Sequence, residues 1–391
     1  MSFQVSGLLA RVAAPPIPEV HGWLEGQVFP PDKPLLDLAQ AVPSGAPPTE
    51  MTDHVARSVA AAATWRYAPI EGLPELRRAL ADDIGFLYGA PVSTPSVLIT
   101  AGCNQAFCLA TMALAGVGDE IILPAPYYFN HQMWLEMLGV RVVHLPLRPE
   151  CAAVPSVDDA FARITPRTKA IVLVSPNNPT GAVYPPSVIQ RFYELARSCR
   201  VALVLDETYR DFLPTDGAPH ALFGDPGWAD ALVHLYSFSK VFCMTGYRVG
   251  AIVAAEAFVA QVAKAMDCVA ICAPRIGQEA ALFGLRHLAE WRRKNADDLR
   301  GRLTAMRSAL ATAPEYELVS AGAYFAYVRH PFDGIDAIRV ARRLAVEENL
   351  LCLPGSIFGP DQEPYLRLAF ANVPTAEMPA VAARLRGLLR Q

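Results

Sequence analysis

The chain has 391 residues, 52% of them hydrophobic and 18% charged, with a formal net charge of -4. That length calls for two or three packed units rather than one small core, and the composition excludes a disordered chain. The slight acidic balance leaves no basic field to hold nucleic acid, and no apolar run reaches the roughly 20 residues of a membrane span.

Residues 1–50 are rich in Pro and poor in periodic pattern, and read as an irregular arm lying across another part of the molecule. The first ten residues lack a basic stretch followed by a continuous apolar run, so export is not expected and the chain reads as cytoplasmic. From about residue 52, apolar strands alternate with helical stretches. Strands are expected at 97–100, 120–124, 141–147, 170–175, 201–206, 232–237 and 249–254, with helices at 105–115, 130–138 and 186–198 among them. Segments such as Ala170-Ile-Val-Leu-Val174 are apolar on both faces, the pattern of a central parallel sheet covered by helices. The alternation itself implies an α/β layer architecture. After residue 275, long helical stretches over 276–310 lead to a hairpin of 316–319 and 324–329, then to a strand at 365–370. This predicts an arm (1–50), a large unit (51–275) and a smaller α+β unit (276–391).

Eight Cys at irregular spacing read as reduced thiols of a cytosolic protein,. Cys268 and Cys272 have no second Cys/His pair beside them, so buried packing is expected there rather than zinc. Arg292-Arg293-Lys294 reads as a solvated helix face.

In open α/β sheets, ligands sit outside the carboxyl ends of the strands. Four such ends stand out. Asp206 closes a fully apolar strand, followed by Glu207-Thr-Tyr209. A buried carboxylate is costly unless it meets a cation, and capping of the next segment is an equal alternative. Lys240 follows the strand ending Ser237-Phe-Ser239. Burial disfavours its charge, which makes such an amine suited to a Schiff base, although a surface Lys at a turn is the plainer reading. The nearby Ser residues and Thr245-Gly246-Tyr-Arg248 resemble a phosphate cradle. Ser175-Pro-Asn177-Asn178-Pro179-Thr180-Gly181 marks a rigid turn. At Thr100-Ala-Gly102-Cys103-Asn104 a strand breaks and enters a helix, whose free N–H groups form an anion site. It has neither the P-loop nor the dinucleotide glycine pattern.

In order and spacing, these elements resemble the class I and II aminotransferases, the pyridoxal-phosphate enzymes of fold type I. The resemblance also rests on Tyr67-Ala-Pro-Ile-Glu-Gly72, Pro126-Tyr-Tyr128-Phe-Asn130-His131 and Tyr365-Leu-Arg367, and runs from about residue 65 to 370. It implies a mostly parallel sheet with helices on both faces plus a smaller α+β domain, and pyridoxal 5'-phosphate as cofactor. It further implies that Lys240 holds the cofactor and shuttles the Cα proton, and that Asp206 pairs with the pyridine nitrogen. Tyr209 and Asn178 are then expected at the ring's 3′-oxygen, and Tyr128 stacked on the ring. Gly102, Cys103, Asn104, Ser237, Ser239 and Arg248 are expected at the phosphate, and Arg367 on the substrate α-carboxylate. Tyr67 is expected to reach the cofactor of a partner subunit, which implies a homodimer with shared active sites.

Departures bear on the substrate. Many relatives carry Gly-x-Pro-Asp-Phe in the arm, where this chain has Ala41-Val42-Pro43-Ser44-Gly45. The second Arg of aspartate-specific members falls near Cys268 to Ala270. Arg275 lies a few residues on, where a salt bridge is the expected role. The expected reaction moves an amino group between an amino acid with a neutral or aromatic side chain and a 2-oxo acid. A carbon–sulfur β-lyase is the second reading. A cofactor-binding regulator is the third, disfavoured because no basic DNA-binding segment precedes residue 50.

Overall fold

The structure, a computed structural model, describes residues 3–390. Met1, Ser2 and Gln391, the tips of the expected arm and of the C-terminal unit, lie outside the described residues.

The arm contains α1 (Gly7–Arg11), α2 (Pro16–Gly22) and β1 (Leu36–Asp37). Two helices follow, α3 (Thr49–Val59) and α4 (Pro74–Tyr88). The second opens on Pro, whose missing N–H is of no consequence at a helix start, and stops where Gly89 turns left-handed at φ +68°,. Strands and helices then alternate through β2 (Val97–Thr100), α5 (Cys103–Leu114), β3 (Glu120–Pro124), α6 (Phe129–Met137) and β4 (Arg141–Leu145). They continue with α7 (Val157–Phe161), β5 (Thr168–Val174), α8 (Pro186–Cys199), β6 (Ala202–Asp206), β7 (Leu232–Ser237), α9 (Phe238–Val241) and β8 (Gly250–Val253). The rest comprises α10 (Glu256–Ala270), α11 (Arg275–His287), α12 (Ala289–Leu310), β9 (Glu317–Gly322), β10 (Phe325–Arg329), α13 (Ala337–Glu348), β11 (Leu350–Leu351), β12 (Leu353–Pro354), β13 (Tyr365–Leu368) and α14 (Met378–Gly387).

The large sheet has the order β2-β8-β7-β6-β5-β3-β4. In β5, Ala170, Ile171, Val172 and Leu173 are all fully buried. The alternation of a one-sided strand is absent because helices cover both faces. One strand departs from the parallel pattern: β8 runs antiparallel to both β2 and β7. Its link to β7 holds only the four-residue α9 and a single 3₁₀ turn, with no crossover helix to return the chain to the far end of the sheet,. A second, antiparallel sheet has the order β12-β13-β10-β9.

Three sequence expectations need correction. The arm is not irregular throughout, since β1 pairs in parallel with β11 and Leu36 and Leu38 enter the C-terminal core beside Phe325 and Phe370. Cys268 is exposed and Cys272 half-buried, so the first is not a packing residue of this chain. Arg292 turns inward to Asp83 and Asp211 instead of facing solvent. Among the described residues, no helix is long and apolar enough to cross a membrane.

Candidate active site

The carboxyl ends of β5, β6 and β7, the first turn of α5, β13 and the arm enclose a cavity of about 530 Å³. Each contributes side chains that its own backbone fixes.

Lys240 sits in α9, directly past β7. Ser237 caps that turn, its Oγ accepting the Ser239 N–H at 3.2 Å, and both serines are buried and line the cavity. Lys240 Nζ donates to the carbonyl of Ala41 in the arm. Burial, reinforced by Arg248 and Arg367, pulls its amine down to about 8. This is a desolvated amine and not a surface lysine.

Asp206 ends β6 and is 6% exposed. Its Oδ1 accepts the Thr208 N–H at 2.9 Å, so it caps the following turn while facing the cavity. The two sequence readings are compatible, because one oxygen serves each. Burial raises its carboxyl above the ordinary range, opposed by hydrogen bonds from Thr208 and the Cys103 thiol. Its Oδ2 lies 3.6 Å from His131 Nε2.

His131 was missed as a site residue. It is buried on α6 and its ring stacks on Phe107 at 3.8 Å. Burial lowers its imidazole to about 3, so it meets Asp206 as a neutral ring. The available signal was its place in the first turn of α6, three residues after Tyr128, the residue that caps that helix. Tyr128 stands edge-on to His131 at 80°, and its Oη accepts from Asn130 Nδ2 at 2.8 Å and from Asn104 Nδ2 at 3.5 Å.

Arg367 projects from β13, paired opposite Tyr327 of β10 and Leu353 of β12. It is 2% exposed. Nη1 donates to Asn178 Oδ1 at 2.9 Å and Nη2 to the Ala39 carbonyl, while Nε has no partner among the described residues. Burial lowers this guanidinium to about 10. Tyr209 is buried against Tyr324 and Phe325, and burial pushes its hydroxyl well up.

At the other end, Gly102 has φ +82°, and a Cβ there would lie 2.3 Å from Arg248 Nη2. A Cβ at Gly250 would lie 2.6 Å from the Cys103 nitrogen. The two glycines let Arg248 and β8 close on the first turn of α5, whose leading N–H groups have no intrahelical acceptor. Tyr67, 75% exposed, does not line the cavity. Arg275 pairs with Glu279 at 3.4 Å.

A buried amine and carboxylate at the strand ends, with cationic groups to either side, define an α/β enzyme built to hold an anionic cofactor and an anionic substrate. The sequence pattern of aminotransferase class I and II matches residues 33–385, and the chain belongs to that family. It is 30% identical over 358 residues to the aromatic aminotransferase ISS1 of Arabidopsis thaliana, covering 90% of this chain and 89% of that one. It is 32% identical over 357 residues to the aspartate/prephenate aminotransferase of Thermus thermophilus, covering 86% and 87%. A solved structure of a double mutant of Thermus thermophilus aspartate aminotransferase superposes with a TM-score of 0.89 at 28% identity, covering 98% and 99%. The chain is thus a transaminase acting on amino acids and 2-oxo acids with pyridoxal 5'-phosphate. The donor set fits that cofactor. The room kept by Gly102 beside Arg248 and the free N–H groups of α5 suit a phosphate,. The Asp206 carboxylate suits a basic ring nitrogen, and the amine of Lys240 suits an aldehyde.

Proposed function

We propose that this transaminase prefers amino acids with a neutral, aromatic side chain and works as a homodimer with shared active sites. The observation that carries the substrate reading is the lining of the cavity on the arm side. Pro15, Ile17 and Phe129 stand there with the amides of Gln40 and Asn130. Such a wall suits a ring better than a second carboxylate. The aromatic activity in the name of the Arabidopsis relative supports it.

In this reading, residues 51–275 hold the cofactor, and 276–391 with the arm 1–50 close over it. Bound pyridoxal 5'-phosphate supplies the electron sink for the pair left at Cα when its proton departs. The chain does the rest. Lys240, its amine pulled down to about 8, would hold the aldehyde of the cofactor and would carry the proton to and from Cα,. Asp206 keeps the ring nitrogen protonated, and the cation it meets offsets the cost of its own burial. Tyr209 and Asn178 would hold the ring's 3′-oxygen, and Tyr128 would pack against the ring. Gly102, Cys103 and Asn104 bind the phosphate through the start of α5, with Ser237, Ser239 and Arg248. Tyr67 reaches the phosphate in the partner subunit's site. Arg367 grips the α-carboxylate by two parallel hydrogen bonds, with Asn178 fixing the plane of its fork,.

The test is a half-reaction screen. Each amino acid is added to loaded enzyme without a 2-oxo acid, and the loss of visible cofactor absorbance is followed. Phenylalanine and tyrosine are expected to react faster than aspartate, and the reverse order sinks the substrate reading. Lys240→Ala is expected to abolish both borohydride trapping and turnover. Light scattering is expected to give a dimer, and a fully active monomer contradicts the shared site.

A further inference from the structure

The turn that follows β6 presents residues to two sides. Asp206 and Tyr209 face the cavity, whereas Arg210 and Asp211 face away from it into a cluster of four charges. Arg210, its side chain fully buried, donates through Nη2 to Asp83 Oδ2 of α4 at 2.6 Å. Arg292 of α12 donates through Nη1 to Asp83 Oδ1 at 2.5 Å. The same guanidinium donates through Nε to Asp211 Oδ1 at 2.6 Å. Tyr236 of β7 closes the cluster, donating to Asp211 Oδ2 at 2.9 Å while its ring centroid lies 3.9 Å from the Arg210 guanidinium carbon. Two guanidinium groups and two carboxylates balance, so the cluster is neutral as a whole. The turn has little backbone support of its own. Its internal bonds are Arg210 N–H to Glu207 O at 3.1 Å and Phe212 N–H to Tyr209 O at 2.9 Å.

From this geometry we infer that Arg210 is a positioning residue for the reaction, setting Tyr209 through the charge cluster it shares with Asp83, Asp211 and Arg292. The inference rests on the site reading above, in which Tyr209 and Asp206 meet the cofactor. The guanidinium plane of Arg210, bonded to Asp83 through Nη2 and stacked on the ring of Tyr236, favours one orientation of the turn, which an ammonium or a thioether would not enforce,. A hydroxyl displaced by an ångström loses its hydrogen bond to the 3′-oxygen, and the electronics of the bound cofactor report the loss without any turnover.

The experiment compares loaded wild-type enzyme with Arg210→Met, Arg210→Lys and Tyr209→Phe. The pH midpoint of the visible absorbance is read together with kcat and KM. Arg210→Met is expected to raise the midpoint by about half a pH unit or more, because a donor to the 3′-oxygen is misplaced. Its kcat is expected to fall about tenfold with KM nearly constant. Arg210→Lys keeps the charge but not the plane stacked on Tyr236, and is expected to behave like Arg210→Met. Full rescue by lysine, or a folded Arg210→Met with the wild-type midpoint and kcat, overturns the inference. If Arg210→Met does not fold, Tyr236→Phe decides. It removes one hydrogen bond to the Asp211 carboxylate and is expected to shift the midpoint in the same direction by less, and an unchanged midpoint overturns the proposal. Should Tyr209→Phe itself leave the midpoint alone, the site reading fails, and that failure is distinguishable from a failure confined to Arg210.

Discussion

Replacing Arg367 with Met separates what this side chain does for the reaction from what it does for the fold. The guanidinium is buried without a carboxylate partner, held by the Asn178 amide and the Ala39 carbonyl. Lowering its pKa from 12.5 to about 10 corresponds to a burial cost of about 3 kcal/mol at about 1.4 kcal/mol per decade,. Its two hydrogen bonds return about 1.5 to 3 kcal/mol each, as bonds to a charged group do, so the balance runs from about zero to about 3 kcal/mol in favour of the arginine. Met fills the space between the rings of Phe325 and Phe358, 4.9 and 5.0 Å from the guanidinium carbon, and its melting temperature is expected within a few degrees of wild type. The reaction has no such compensation. On the proposed grip of the α-carboxylate, losing both charge-assisted bonds removes about 3 to 6 kcal/mol of binding in the transition state, a fall in kcat/KM of about 10² to 10⁴. Arg367→Lys, which keeps one of the two bonds, is expected to lose about 10- to 150-fold. The assays are differential scanning calorimetry and steady-state kinetics with three amino acids of different side chain. Cofactor absorbance serves as the control for an intact site. A melting temperature ten degrees lower, or a kcat/KM within threefold of wild type for Met, refutes the reasoning.

The remaining predictions concern the other end of the site. In cofactor-free protein, reductive alkylation of Lys240 is expected to rise with pH around about 8, since the amine is protonated below that value and free above it. A profile still climbing at pH 10 contradicts the burial of this amine. The same depressed pKa costs the cofactor-free fold stability below about 8, and that cost is relieved as pH rises from 8 towards 10.5,. Gly102→Ala puts a methyl 2.3 Å from Arg248 Nη2 on a backbone at φ +82°. It is expected to weaken cofactor affinity at least tenfold by equilibrium titration, with the fold intact by circular dichroism. Tyr67→Phe is expected to weaken cofactor retention in the dimer during dialysis, while leaving the mass by light scattering unchanged.

Strands β2, β3 and β7 run as the apolar pattern expects, because a strand covered on both faces is apolar along its whole length and needs no partner to be recognised. The orientation of β8 was not legible, since it depends on the shortness of its link to β7, a property of the path and not of the strand. Lys240, Asp206 and Arg367 each had a plain alternative when read alone. Only their order made them a set, and the cavity brings them together. His131 escaped for another reason. Its approach to Asp206 joins α6 to β6 across 75 positions of chain, and a neutral buried ring looks in sequence like any helix-capping histidine.

Charged residues were the least legible class. Arg292 stands in a run of basic residues on a helix of low hydropathy, and local pattern assigns that run to solvent. What draws it inward is Asp83 on one side and Asp211 on the other, neither within 80 residues of it. A carboxylate and a guanidinium far apart in sequence leave no periodicity, because their pairing answers to the cost of an unpaired buried charge and not to the shape of any element. Residues on a strand end inherit their position from the ladder behind them, whereas those on the turn after β6 depend on partners from α4, β7 and α12. Besides His131, the residues around this site that sequence conceals are therefore the ones held by non-local charge, and they lie on the side of the turn that faces away from the cavity.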